Sequence, residues 1–292
     1  MEGSVEDTTR REAAAGLAAV AAVIAGGGVG PALGQPSAPP APAPAAAPPP
    51  AHDMHATPPH WRGTERIAFL IYPGFTALDM VGPHYMLTNL MGATVQIVAR
   101  DAAPVRSDTG LVLTPDATFE TCARDLDILC APGGTTGTLA AMRDEATLRF
   151  LADRGGRAKF VTSVCTGSLL LGAAGLLDGY RATSHWLTKS LLPIFGAIPA
   201  DGRVVRDRNR ITGGGVTAGL DFGLSLVGDL RDRAYAEGVQ LLAEYAPEPP
   251  FDAGTPARAP APVRTMMEQM FAEFLVTAEA AGREAFARPR PR

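Results

Sequence analysis

The feature that most limits the fold of this chain is the alternation of strands and helices over residues 64–246. Short apolar runs, such as 67–72 and 128–131, end in Pro-Gly or Gly-Gly turns, which is typical of buried strands. Segments with helical spacing, such as 77–90, follow these runs. Because strands connected through helices pair in parallel, the sequence predicts an α/β fold. We expect a mostly parallel sheet with helices on both faces.

The same reasoning places the other elements of this domain. Strands are predicted at 94–99, 159–164, 181–183, 204–206 and 210–212, and a hairpin or pair of edge strands over 104–114. Helices are predicted at 145–154, 166–174, 186–195, 217–230 and 233–245. In such sheets ligands bind beyond the carboxyl ends of the strands. The residues that directly follow each strand are therefore the candidate site.

The N-terminal segment has the composition of an export signal. Paired arginines at positions 10 and 11 precede an uncharged run over 13–33, which ends in small residues. A charged start, an apolar middle and a small-residue end are typical of a secretory signal, and paired arginines indicate the twin-arginine route. We predict a signal peptide over 1–34, a periplasmic or secreted protein, and no stable membrane span after processing. The alternative is a disordered tail on a cytoplasmic protein.

Two further segments flank the domain. Residues 35–63 are rich in Pro and Ala and are predicted to be an extended linker. The tail over 247–292 is also rich in Pro and carries one predicted amphipathic helix over 263–281, expected to pack on the domain or on a second copy. Its apolar face consists of Met266, Met267, Met270, Phe271 and Phe274. The net charge of −4 and the lack of a basic, aromatic-rich run argue against nucleic-acid binding.

The strongest local signal is Cys165, which stands where the strand over 159–164 runs directly into a helix. Such a junction is a nucleophile elbow, which presents one side chain above the sheet and strains its backbone. The small residues Gly167 and Ser168 let the helix pack closely. Because a helix N-terminus favours an anion, we predict a reactive thiol with a lowered pKa. Cys130 ends an apolar run and is predicted to be buried and inert.

A carboxyl group, Asp79, follows the first strand at the beginning of a helix. An ionised Asp79 would oppose a nearby thiolate, so we expect the two groups to share one proton. Asp79 would then be able to pass that proton to a substrate atom. A helix N-cap is the structural alternative for this residue.

Other residues that follow strands give weaker signals. Gly133 and Gly134 are predicted to offer backbone N–H groups as an oxyanion-type hole. His185 is expected to line the pocket as a base or polar wall, or to be structural. No dinucleotide fingerprint is present, and the three histidines of the linker region have no fixed geometry. No metal or other cofactor is therefore predicted.

Together these motifs resemble the ThiJ/PfpI superfamily, and within it the isonitrile hydratase-like branch. In chain order they are D-x-x-G-P from Asp79, A-P-G-G from Ala131, S-V-C-T-G-S from Ser163, A-T-S-H-W from Ala182 and G-G-G-V-T-A-G from Gly213. The resemblance implies a flavodoxin-like sandwich, a homodimer and a small-molecule substrate. It matches Cys165 to the nucleophile, Asp79 to its acidic partner and Thr166 to the threonine that follows the nucleophile.

The implied reaction is hydration of an isonitrile to an N-substituted formamide, started by Cys165 with Asp79 as its proton donor. Thr166 stands where PfpI-type peptidases have His, which argues against peptidase activity. Asp79 stands in place of the Glu of glyoxalase-like members. Two alternatives stay open: glyoxalase- or deglycase-type carbonyl chemistry on Cys165, and a non-catalytic ligand-binding or redox-sensing module.

Overall fold

A seven-stranded sheet lies at the centre of the computed structural model, which describes residues 57–288. From one edge to the other its strands are β10 (Val204–Asp207), β11 (Arg210–Gly213), β7 (Phe160–Val164), β6 (Ile128–Ala131), β1 (Arg66–Leu70), β2 (Thr94–Ala99) and β5 (Ala117–Thr118). All neighbours pair in parallel except β10 and β11. The predicted fold class is confirmed.

The central strands are buried because helices cover both faces of the sheet. Every residue of β6 is buried, and so are four of the five residues of β1 and of β7. A strand covered on both sides has no polar face, so its sequence is a continuous apolar run. This explains why apolar runs located these strands to within two residues.

The helices form two groups. The first group is α1 (Ala77–Thr88), α5 (Ala218–Leu230) and α6 (Arg233–Leu242), and the second is α2 (Thr136–Arg143), α3 (Glu145–Arg157), α4 (Gly167–Ala173) and α8 (Ala272–Ala287). In the first group α5 packs on both α1 and α6. In the second, α2 packs on α3, α4 and α8. One further helix, α7 (Ala261–Met270), contacts α8 and buries none of its own residues.

Two small sheets stand beside the main one. β3 (Val105–Arg106) and β4 (Val112–Leu113) form an antiparallel pair, which confirms the hairpin predicted over 104–114. β8 (Arg181–Ala182) pairs in parallel with β9 (Ile198–Pro199), a strand that the sequence did not predict. Both small sheets lie in connections between elements of the main sheet.

The long helix predicted over 186–195 is wrong. In its place, turns lead into a 3-10 helix over Lys189–Phe195. Pro193 explains the change, because a proline inside an α-helix removes one hydrogen bond and its ring collides with the carbonyl four residues earlier. Gly196, with φ of 73°, then ends the helix.

The single tail helix predicted over 263–281 is also wrong, because the helix is interrupted at Phe271, which separates α7 from α8. The predicted face of methionines and phenylalanines is only partly buried. The residues that pack are small ones on α8: Ala278, Ala281, Gly282 and Ala285. Small side chains allow close approach, and a methyl group on Gly282 would lie 2.9 Å from the ring of Phe195. The helical spacing of the large apolar residues therefore predicted the wrong face of the tail helix as the buried one.

The predicted signal peptide and most of the predicted linker lie outside the described residues. The described part of the linker contains a 3-10 helix, Pro59–Trp61. His60 Nε2 and Trp61 Nε1 both contact a carboxylate oxygen of Asp232, at 2.6 and 2.8 Å. Within residues 57–288, no helix combines the length and the apolar character needed to cross a membrane.

Candidate active site

Cys165 stands at the junction between β7 and α4, with a backbone φ of 57°. Its N–H donates to the Gly213 carbonyl (3.0 Å), and its own carbonyl accepts from the hydroxyls of Ser168 (3.1 Å) and Ser184 (3.2 Å). A left-handed backbone at a residue with a Cβ costs about 1–3 kcal/mol and persists only where its surroundings hold it. The elbow predicted here therefore has the expected backbone, fixed at both of its polar groups.

Asp79 lies in the first turn of α1 and is fully buried. Its Oδ2 accepts a hydrogen bond from the Gly133 N–H at 2.9 Å. Its Oδ1 is buried without a hydrogen-bond partner among residues 57–288. The cap residue of α1 is Thr76, so Asp79 is not the helix cap. A buried carboxyl oxygen without a partner is costly, which makes it a candidate for contact with substrate.

Gly133 follows β6 and brings Asp79 and Thr166 together. A methyl group at this position would lie 2.6 Å from the Thr166 hydroxyl and 2.8 Å from Asp79 Oδ2, so only glycine fits. The N–H of the next residue, Gly134, donates to the Thr166 hydroxyl at 2.9 Å. Both N–H groups thus have protein acceptors in this state and orient these two side chains. Their role as donors to an intermediate stays a prediction.

A chain of buried hydroxyls, which the sequence did not predict, extends from this site. Thr166 Oγ1 lies 3.0 Å from Thr138 Oγ1, which lies 3.0 Å from the Tyr72 hydroxyl. Tyr72 in turn donates to the Pro132 carbonyl at 2.9 Å. Burial raises the pKa of Tyr72 well above its usual 10.0, so the phenol keeps its proton. The sequence offered one signal for these two residues, which is their position: Tyr72 comes just after β1, and Thr138 lies on α2.

The electrostatics of the pair differ from the prediction. Burial and the nearby Asp79 raise the pKa of Cys165 well above 9.0, although the Thr166 N–H and hydroxyl act in the opposite direction. The predicted lowering of this pKa is therefore wrong. Burial also raises the pKa of Asp79 from 3.8 to about 7; the Gly133 N–H and the Cys165 thiol oppose this rise, and the charge of Asp108 adds to it. Two acids this close share protons as a pair, so near neutral pH the sulfur holds one and Asp79 exchanges the other.

The other two cysteines, Cys122 and Cys130, are buried free thiols. Burial raises the pKa of Cys130 to about 12, and Cys130 lies inside β6 with no exposed surface. The prediction that Cys130 is a buried, inert residue agrees with this placement.

His185 lies in the turn after β8, and its neighbour Ser184 makes the contact with Cys165. Burial lowers the pKa of His185, so the ring is neutral at pH 7. Its Nδ1 accepts from the Leu187 N–H at 3.4 Å. Within residues 57–288 it makes no hydrogen bond to the side chains of Cys165, Asp79 or Thr166. Its predicted place in the pocket wall stays a prediction.

The arrangement as a whole suits covalent chemistry on a small molecule. It combines a thiol on a strained backbone with a carboxyl group that titrates near neutral pH. One oxygen of that carboxyl group has no hydrogen-bond partner among the described residues. Among residues 57–288, no three side chains of His, Cys, Asp or Glu are grouped so that they could hold a metal ion.

Comparison with known proteins agrees with this geometry. Residues 65–229 match the model of the DJ-1/PfpI family. The chain is 52% identical over 198 residues to an isonitrile hydratase of Pseudomonas putida, an alignment that covers 68% of this chain and 86% of that protein.

Solved structures give the same result. A ThiJ/PfpI family protein from Pseudomonas syringae, 60% identical, has a TM-score of 0.77 and covers 81% of this chain and 97% of its own. Drosophila melanogaster DJ-1beta, 20% identical, shares the fold with a TM-score of 0.57, covering 63% of this chain and all of its own. The chain therefore belongs to the DJ-1/PfpI family.

Proposed function

We propose that this protein is a cysteine-dependent hydratase that converts an isonitrile to an N-substituted formamide. The observation that carries the proposal is the buried pair of Cys165 and Asp79, in which the carboxyl group lies against the thiol and has a pKa raised to about 7. The terminal carbon of an isonitrile must gain both a nucleophile and a proton, and this pair supplies both at one point. The 52% identity to an isonitrile hydratase supports the same substrate class.

The reaction begins with addition of the thiol across the terminal carbon. Ionised Asp79 takes the proton of Cys165 as the sulfur attacks, and a C–S bond forms. Asp79 then gives the proton to the same carbon, which yields a thioimidate bound to Cys165. Covalent attack in this form divides one difficult hydration into two easier steps.

Water completes the reaction. It adds to the thioimidate carbon, one of its protons goes to the imine nitrogen, and the C–S bond then breaks. The other proton returns to the sulfur through Asp79, which releases the formamide and restores the thiol. One isonitrile and one water give one formamide, with no oxidation or reduction. Thr166, whose hydroxyl interacts with the Cys165 sulfur and accepts from the Gly134 N–H, orients the intermediate.

The decisive experiment assays the full chain with an alkyl isonitrile and with methylglyoxal, side by side. We expect formamide production that Cys165→Ala abolishes and Cys130→Ala retains, since both replace a buried thiol but only one belongs to the pair. Turnover of methylglyoxal alone would replace the proposal with carbonyl chemistry. Formamide production at the wild-type rate by Cys165→Ala would refute the role of the thiol.

We also propose that the chain is exported by the twin-arginine route and acts as a homodimer. The support is the leader sequence with its arginine pair and, for the dimer, the family resemblance. Replacement of both arginines by lysine should trap the full chain in the cytoplasm. Light scattering on the purified protein should give twice the chain mass, and a monomer mass would exclude the dimer.

A further inference from the structure

A concave site separate from Cys165 lies at the same end of the sheet and is lined by Tyr72. It is a cavity of about 550 Å³ beyond the carboxyl ends of β1 and β2, closed on one side by α2. None of Cys165, Asp79 or Thr166 lines it. Its volume lies within the range of small-molecule sites, and its position is where open α/β sheets bind ligands.

The walls of the cavity are mostly apolar, and its four charged residues are two arginines and two aspartates. Of its two carboxylates, Asp101 accepts from the Ala103 N–H, while Asp144 caps α3 and pairs with Arg100 at 3.2 Å. The Arg106 guanidinium makes one hydrogen bond within residues 57–288, to the Gly110 carbonyl at 2.9 Å. Its other N–H groups can therefore bind an anion. Such a cavity suits a molecule with an apolar body and one negative group.

Tyr72 connects this cavity with the Cys165 site. Tyr72 lines the cavity, while its hydroxyl group ends the chain through Thr138 to Thr166. Thr138 and Tyr72 are almost fully buried, so a displacement of the Tyr72 ring has to be taken up by these hydroxyls. A ligand in contact with Tyr72 is thus two hydroxyl groups away from Thr166, the residue that follows Cys165.

We propose that this cavity binds a small organic anion with an apolar body, and that Tyr72 transmits its occupancy to Cys165. The occupant is held by Arg106 at the rim and by the apolar wall beside Ala140. The proposal does not rest on the isonitrile reaction, because both of its measurements are independent of turnover.

The first measurement uses 1-anilinonaphthalene-8-sulfonate, an aromatic molecule with one sulfonate, as a fluorescent probe on the full chain. We expect one saturable site per chain. Ala140→Phe, an exposed position on α2 that lines the cavity, should weaken binding about tenfold or more. Arg106→Gln should weaken it several-fold. The matched controls are Ala234→Phe, at an exposed position of α6, and Arg258→Gln; both should bind the probe with wild-type affinity. Equal affinity in Ala140→Phe and Ala234→Phe would overturn the site.

The second measurement follows alkylation of Cys165 by iodoacetamide with mass spectrometry, with and without saturating probe. We expect the probe to change the wild-type rate at least about twofold. Tyr72→Phe keeps the ring and loses the hydroxyl, so it should still bind the probe but show no change in rate. A probe effect that is absent in the wild type, or equal in Tyr72→Phe, would overturn the transmission through Tyr72.

Discussion

Cys130 and Cys165 lie in and just after neighbouring strands and are both buried, yet their surroundings differ in three ways. Cys130 lies within β6, paired in register with Thr162 of β7. Cys165 lies one residue beyond β7, with a left-handed backbone, at the beginning of α4 and next to Asp79. Burial raises the pKa of both thiols. The comparison teaches that the partner carboxyl group and the position at the strand end, rather than the resting pKa, distinguish the cysteine that we propose as the nucleophile.

The largest expected effect is a direct test of this difference. Cys165→Ala should reduce isonitrile turnover by about 10⁴-fold or more, because it removes the attacking atom. Cys130→Ala should keep turnover within a few-fold and cost on the order of 1 kcal/mol of stability, because it only opens a small space in the core. Initial rates and urea unfolding of both variants measure this. Equal loss of turnover in the two would contradict the distinction.

Removal of the acidic partner should have the next largest effect. Asp79→Asn keeps an oxygen to accept the Gly133 N–H but cannot carry a proton between the sulfur and the substrate carbon. We expect kcat to fall about 10²- to 10⁴-fold. A kcat within threefold of the wild type would show that the pair does not act as a unit. Asp108→Asn, which also removes a nearby negative charge, is the control for a purely electrostatic effect.

Gly133→Ala should disturb the pair without removing either member. The added methyl group meets both Thr166 and Asp79 and displaces them. We expect kcat to fall about 10- to 100-fold, since misplacement of about 1 Å has effects of this size. Gly156→Ala, at a glycine with open space around it, is the matched control and should be active. Normal kinetics for Gly133→Ala would mean that the glycine is not needed.

The pH dependence of the wild type should report Asp79. Because its pKa is raised to about 7 and the proposed reaction needs the ionised form, kcat/KM should rise with pH up to about 7 and then level off. Below pH 7, kcat/KM should fall about tenfold for each unit by which the pH decreases. Asp79→Asn should lose this rise. If the Asp79→Asn variant shows the same rise at the same pH, the rise belongs to another titrating group.

The last prediction concerns stability rather than turnover. A carboxyl group whose folded-state pKa is raised from 3.8 to about 7 is held neutral by the fold, so its ionisation opposes folding as pH rises between these values. Asp79→Asn removes this penalty. Relative to the wild type it should gain roughly 3 kcal/mol in unfolding free energy between pH 5 and pH 8, at about 1.4 kcal/mol per unit. Urea unfolding at both pH values tests this, and a constant difference would contradict it.

Much of the fold could be predicted because buried strands and amphipathic helices carry strong periodic signals. α2 was missed because it begins within the Gly- and Thr-rich stretch after Gly133, which looks like a loop in sequence. The helix predicted over 186–195 failed because of a single proline. Whether a segment was predicted correctly thus depended on whether its local sequence pattern agreed with its tertiary surroundings.

The site was predictable only as far as strand ends mark it. Cys165 and Gly133 lie just beyond strands and Asp79 in the first helical turn after β1, and these three were identified. Tyr72 and Thr138 were not, because a hydroxyl has no pattern that announces its partner across the fold. The direction of the Cys165 pKa also depends on burial, and no sequence motif reports how completely a junction is covered.

The exposed connection between α6 and α7 has a practical consequence. Residues 247–260 contain no helix or strand and are mostly exposed, whereas α8 beyond them is packed into the domain through its alanines. Proteases cut such exposed backbone first. A chain nicked there should stay assembled, with the C-terminal fragment retained as a separate peptide. This connection is therefore a natural place to split the protein or to insert a reporter without loss of its core.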